Sequence, residues 1–101
     1  MDTILGIGVA GAAGRMGQML VRAITTTAGV RLAGAVEAPG HPALGGDAGA
    51  LAGIGAAGVT IGDDPAALFA ACDAVLDFTA PAASLKHAAL AAAHRVIHVV
   101  G

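Results

Sequence analysis

Glycine recurs every third residue at Gly8, Gly11, Gly14 and Gly17, between an apolar run and a segment with helical periodicity. Residues this small mark a tight passage from strand into helix. Two registers compete. A G-x-G-x-x-G pattern at Gly6, Gly8 and Gly11 would bury the loop inside the strand, with no helix starting at its end. The segment Gly11-Ala12-Ala13-Gly14-Arg15-Met16-Gly17 instead lies where strand gives way to helix. In that register Gly11 permits a tight turn, Gly14 lets the backbone approach a pyrophosphate, and Gly17 lets the helix pack on the strand. Free N–H groups at the helix start, with the helix dipole behind them, suit an anion. Arg15 is a cation in the first helical turn, where the dipole disfavours it. That position makes sense if Arg15 faces a bound phosphate or an adenine.

The flanking segments fit this register. Residues 4–10 (ILGIGVA) read as a short buried strand. From Arg15 to Thr26 the period changes, and Met16, Leu20, Ala23, Ile24 and Thr27 share one helical face. Val30 to Val36 reads as a second strand. Glu37 follows it, 20 residues after Gly17, about where a carboxylate takes the ribose hydroxyls of a dinucleotide. A bare turn with a solvated strand-end acid is the competing reading. The strand, helix and acid together favour dinucleotide binding.

Residues 37–58 are rich in glycine and hold Pro39 and Pro42, so they read as irregular, with one helical turn near Asp47 to Leu51. Asp47 is expected to shape that loop. A brief strand at Val59 to Ile61 follows. Asp63 or Asp64 caps a short helix from Pro65 to Ala71. A strand at Ala74 to Phe78, a helix from Pro81 to about Ala93 and a last strand at Val96 to Val100 complete the chain. Alternating strands and helices imply an α/β fold: a Rossmann-like, doubly wound parallel sheet with helices on both faces. At 101 residues the expectation is one dinucleotide-binding domain over 1–101, without room for a substrate domain.

Composition excludes several alternatives. With 56% apolar and 12% charged residues a packed core is expected, though alanine and 16 glycines bury little area each. The five basic residues are scattered and the net charge is −2, which argues against nucleic acid. No apolar run is long enough for a membrane span. An Ala-x-Ala at Ala10 to Ala12 invites a signal-peptide reading, but Asp2 stands where such a leader is basic, so a cytoplasmic protein is expected. The lone Cys72 reads as an inert core thiol. His41, His94 and His98 show no ligand spacing with it, so no metal site is expected. Asp77 ends a strand and is assigned the role of holding the following turn through backbone N–H groups. His87 reads from the helix pattern as a surface residue.

The segments VAGAAGRMGQML (9–20), GAVEAPGHPALGGDAGALAG (34–53) and VLDFTAPAASLKHA (75–88) resemble the bacterial 4-hydroxy-tetrahydrodipicolinate reductases, also called dihydrodipicolinate reductases. The likeness spans nearly the whole chain. It implies NADH or NADPH as cofactor and reduction of a cyclic precursor on the diaminopimelate and lysine pathway. It further implies a pyrophosphate loop at Gly11, Ala12, Ala13, Gly14, Arg15 and Met16, with Glu37 as the ribose acid. Phe78 and Thr79 would lie beside the nicotinamide half, and Gly101 would open a further cofactor-lining segment. His87 aligns with a family histidine near the cofactor. The family's substrate domain, with its His-His pair and lysine, is expected to lie beyond Gly101, so no catalytic residue is assigned. Full-length members imply a homotetramer, whereas this chain is expected to be monomeric or to associate nonspecifically through an unpaired edge near Val96 to Val100. Family members that use NADPH well often carry arginine after the ribose acid. Ala38 follows Glu37 here, so NADH is the favoured cofactor. A nucleotide-sensing module without catalysis, or the cofactor domain of another dehydrogenase or epimerase, would share the same loop. The absence of tyrosine argues weakly against enzymes built on a Tyr–Lys pair.

Overall fold

A computed structural model describes residues 4–101. The elements in chain order are β1 (Leu5–Ala10), α1 (Arg15–Thr25), β2 (Val30–Val36), α2 (Ala48–Leu51), β3 (Ile61–Gly62), α3 (Pro65–Ala71), β4 (Ala74–Asp77), α4 (Pro81–His94) and β5 (Ile97–Val100). Among the described residues every strand pairing is parallel, and the spatial order is β3-β2-β1-β4-β5. The chain builds outward from β1 to β3, then returns through α3 and places β4 on the other side of β1. This reversal makes a switch point at the carboxyl ends of β1 and β4, where a crevice opens in such sheets.

Strand alternation separates two cores. Val9 and Ala35 pack with Val21 and Ile24 of α1 on one face. Ala10, Val36 and Val75 pack with Leu68 and Phe69 of α3 and Ala91 of α4 on the other. The doubly wound architecture read from the sequence is therefore the one observed. Gly6 and Gly8 lie within β1, as the rejected register of the glycine pattern required. A side chain at Gly8 would overlap Leu68 and Cys72, so this glycine brings α3 close to the sheet.

Some sequence expectations need correction. The buried face of α1 is Gly17, Val21 and Ile24, while Met16 is 44% exposed and Ala23 and Thr27 face solvent. The face is rotated because a Cβ at Gly17 would collide with the Gly11 carbonyl, so the helix docks through its one position without a side chain. The brief strand is Ile61–Gly62 rather than Val59 to Ile61. Val59 instead donates to the Asp47 carboxylate and accepts from Ala48, which ties this stretch to the loop before it joins the sheet. That carboxylate takes four backbone N–H groups, from Ala50, Ala57, Gly58 and Val59. It thereby orders the glycine-rich stretch assigned to it from sequence, and the bonds, those from Ala57 and Ala50 foremost, hold the carboxyl below the usual range. Cys72 is buried, as expected, and burial pushes its thiol up to about 11. No helix among the described residues is long and apolar enough to cross a membrane.

Candidate functional site

Among the described residues, the four helices start in two different ways. The short helices α2 and α3 are capped by the carboxylates of Asp47 and Asp64. At α1 and α4 the cap residues are Gly14 and Ala80, and no side chain covers the first turn. Both open starts lie at the carboxyl edge of the sheet and face a cleft of about 790 Å³, a volume typical of small-molecule sites. At α1 the N–H groups of Arg15, Met16 and Gly17 find no acceptor among the described residues. Three donors at a helix N-terminus make a site for an anion such as a pyrophosphate.

The loop before α1 is held from below. The Val36 carbonyl accepts from both Gly11 (3.0 Å) and Ala12 (3.2 Å), and Gly14 donates to the Gly11 carbonyl at 3.1 Å. Gly11 has φ +84°, a conformation that favours glycine, and a Cβ there would stand 2.9 Å from the Phe78 carbonyl. Glu37 fixes the loop from the side. Its Oε2 accepts from the Ala13 N–H at 2.8 Å, and its Oε1 from Ala38 at 3.1 Å. Each carboxylate oxygen keeps a lone pair for a further donor such as a ribose hydroxyl.

Of the residues singled out in the sequence, Gly11, Ala13, Gly14, Glu37, Phe78 and Thr79 come together on this cleft. Ala12 lies in the core with its N–H engaged, so the loop presents Ala13 and Gly14 instead. Arg15 and Met16 stand exposed at the start of α1. Gly101 lies in a neighbouring groove with Thr79, donates to the Asp77 carbonyl at 2.9 Å, and leaves room only for the Phe78 ring beside it.

The opposite wall holds what sequence reasoning missed. Asp77 is fully buried, and His87 is 5% exposed rather than a surface residue. Oδ1 of Asp77 accepts from the Thr79 N–H at 3.1 Å and its hydroxyl at 2.6 Å. This is the turn-holding role assigned to it. Oδ2 lies 2.8 Å from His87 Nδ1 and 2.8 Å from His98 Nε2. Burial works to raise the carboxyl, but hydrogen bonds from Thr79, His98 and His87 outweigh it and hold Asp77 well below the ordinary carboxylate range.

Thus His98, which has no ligand spacing in sequence, is gathered with Asp77 and His87, their three nearest ligand atoms lying within 4.8 Å of one another. Strand alternation puts Val75 and Asp77 on one face, but it is the pairing of Val75 with His98 across β4 and β5, a tertiary feature, that brings His98 to that face. For His87 the helix pattern carries no signal, and only the family resemblance points it toward the cofactor. The buried face of α4 is Ser84, His87 and Ala91, in an alanine-rich helix without an apolar stripe, while Leu85 is 75% exposed.

An open helix start at a switch point, with an acid tied to the glycine loop, defines a nucleotide-binding α/β domain of the doubly wound class. Within that class, the chain belongs to the dihydrodipicolinate reductase family, whose N-terminal family model matches residues 5–101. It is 58% identical over 97 residues to 4-hydroxy-tetrahydrodipicolinate reductase 1 of Mesorhizobium japonicum, covering 96% of this chain and 36% of that protein. It is 55% identical over 101 residues to 4-hydroxy-tetrahydrodipicolinate reductase of Ruegeria pomeroyi, covering 100% of this chain and 38% of that one. The chain thus spans little more than a third of the length of these relatives. Among solved structures, a dipicolinate-bound dihydrodipicolinate reductase from Paenisporosarcina sp. TG-14 superposes with a TM-score of 0.76 at 19% identity, covering 98% of this chain and 37% of that one. An aspartate semialdehyde dehydrogenase with NADP from Candida albicans superposes at 0.77 and 14% identity, with 98% and 30% covered. At these identities the two structures bear on the fold alone.

Proposed function

We propose that this chain binds a nicotinamide dinucleotide in the cleft and serves a cytoplasmic reductase of diaminopimelate and lysine biosynthesis, which reduces 4-hydroxy-tetrahydrodipicolinate to tetrahydrodipicolinate. The observation that carries this reading is the uncapped start of α1, with Glu37 bonded to the loop beside it. The N–H groups of Arg15, Met16 and Gly17 receive the pyrophosphate, and Gly11, Ala13 and Gly14 give its close approach. Glu37 accepts from the ribose hydroxyls. Phe78 and Thr79 border the nicotinamide half, with Gly101 behind Phe78. When bound, the reduced cofactor supplies the hydride. Substrate contacts and catalytic groups come from the part of the relatives that these residues do not span. The tetramer contacts come from there too, and the apolar edge strand β5, with Ile97, Val99 and Val100 exposed, is a surface open to association.

NADH is the favoured cofactor. Glu37 repels a 2′-phosphate, and the residues after it, Ala38 and Pro39, carry no compensating charge. Arg15 is the one cation of the loop, and it reduces this preference without reversing it. Calorimetric titration with NADH and then NADPH at fixed salt tests both points. We expect saturable one-to-one binding, tighter for NADH. Glu37→Ala should weaken NADH about tenfold or more, as loss of a charge-assisted hydrogen bond implies. Gly14→Val should weaken it further by obstructing the pyrophosphate approach. A folded chain that binds neither nucleotide would refute the dinucleotide reading, and tighter NADPH binding would refute the preference.

A further inference from the structure

The Asp77 carboxylate serves as acceptor for three side chains that meet behind the cleft wall, from the turn after β4, from α4 and from β5. An ionised carboxylate only accepts hydrogen bonds. Both imidazoles must therefore present an N–H to Oδ2: Nδ1–H from His87 and Nε2–H from His98. In the neutral rings this leaves the lone pair on His87 Nε2 and on His98 Nδ1. Neither of these nitrogens has a partner among the described residues, and no side-chain nitrogen or oxygen there is both fully buried and unpaired. Each consequently reaches the surface. His87 lines the dinucleotide cleft, and His98 lines the adjoining groove with Thr79 and Ser84.

We propose that Asp77 is a positioning residue that holds His87 in its Nδ1–H tautomer, so that the cleft wall offers the His87 Nε2 lone pair to an N–H or O–H donor of the bound ligand. His98 is its second anchor. Donation from β5 keeps Oδ2 fixed between the two rings, while Oδ1 sets Thr79. The ligand class is one carrying a neutral donor at that wall, such as a carboxamide or a ribose hydroxyl. The identity of that ligand as a dinucleotide rests on the function proposed above, but the tautomer does not. A metal ion is the weaker reading of this cluster. Both nitrogens stand at 2.8 Å from one oxygen, which N–H donation to an ionised carboxylate accounts for without an ion.

Long-range proton–nitrogen NMR of the chain labelled with 15N-histidine reads the tautomers directly, without ligand. We expect Nδ1–H at His87 and Nε2–H at His98 near neutral pH, and a shift of the His87 Nε2 resonance on adding NADH. Asp77→Asn replaces one acceptor oxygen by a donor and should disturb this pattern, weakening NADH about tenfold. His98→Gln places an amide N–H near the position of Nε2 and should retain most of the affinity, whereas His98→Ala should not. This pair keeps the test decisive if Asp77→Asn fails to fold. An Nε2–H tautomer at His87 would overturn the proposal, as would a folded Asp77→Asn with unchanged tautomers and affinity. Stoichiometric zinc uptake by the chain, lost in His98→Ala, would overturn it in favour of a metal site. If NADH does not bind at all, the dinucleotide reading fails, and the tautomer spectrum still decides this one.

Discussion

At the scale of single residues, the site depends on positions where a side chain is absent as much as on those where one is charged. Gly17 faces the Gly11 carbonyl and lies close to the Ala12 Cα. Adding one methyl there forces α1 away from β1 and opens the loop that α1 organises. We expect Gly17→Ala to cost about 3 kcal/mol, the upper range for overpacking a dense contact. Urea denaturation followed by far-ultraviolet circular dichroism measures it, since the chain has neither Trp nor Tyr. A loss under about 0.5 kcal/mol, the usual range for a neutral surface change, would mean that α1 does not dock as described.

At the scale of elements, α4 shows how an end can be set correctly with an unfavourable residue. Its last turn closes with Val96 donating to the Ala91 carbonyl at 2.9 Å and Arg95 to Ala92 at 3.4 Å. This is a Schellman ending, in which the residue after the helix adopts the left-handed conformation usually given to glycine. Here that residue is Arg95, at φ 56° and ψ 45°. A side chain in that region costs about 1–2 kcal/mol, partly offset by the greater freedom of glycine in the unfolded chain. Arg95→Gly is therefore expected to stabilise the chain by about 0.5–1 kcal/mol, visible as a higher melting temperature. A lower one would mean that the Arg95 side chain contributes more than its conformation costs. The ending also matters to the site, because it leads directly into β5 and places His98 beside Asp77.

At the scale of the whole molecule, Asp77 couples stability to pH. Its carboxyl is held below the ordinary range in the folded chain, with an unfolded value of about 3.9. A depressed folded value means that stability is fully present above the unfolded value and is lost as pH falls toward the folded one. Asp47 acts in the same direction. Melting temperatures should accordingly hold from neutral pH to about 5 and then fall steeply below about 4. The Asp77→Asn chain should begin lower and fall less. Parallel acid profiles for the two would show that Asp77 gains nothing from its buried partners. The core that these bonds supplement is small, with alanine contributing many of its buried positions.

Much of this fold follows from local chemistry. The glycine spacing, the change from strand to helical period at Arg15, the Asp-Pro start of α3 and the apolar β4 fix a doubly wound sheet and the register of its loop. They also locate Glu37 at the cleft, because a short strand after a helix leaves that acid one place to go. The sequence could not determine which face α1 buries, since that is set by a backbone collision at Gly17 rather than by an apolar stripe. Nor could it join Asp77, His87 and His98. These residues are separated by 10 and 21 positions, and their patterns are those of a strand end, an alanine-rich helix and an edge strand. Only parallel pairing of β4 with β5, and the packing of α4 across them, brings two imidazoles to one buried oxygen. A carboxylate with no water must find its donors in whatever the fold places beside it, and that is a tertiary decision.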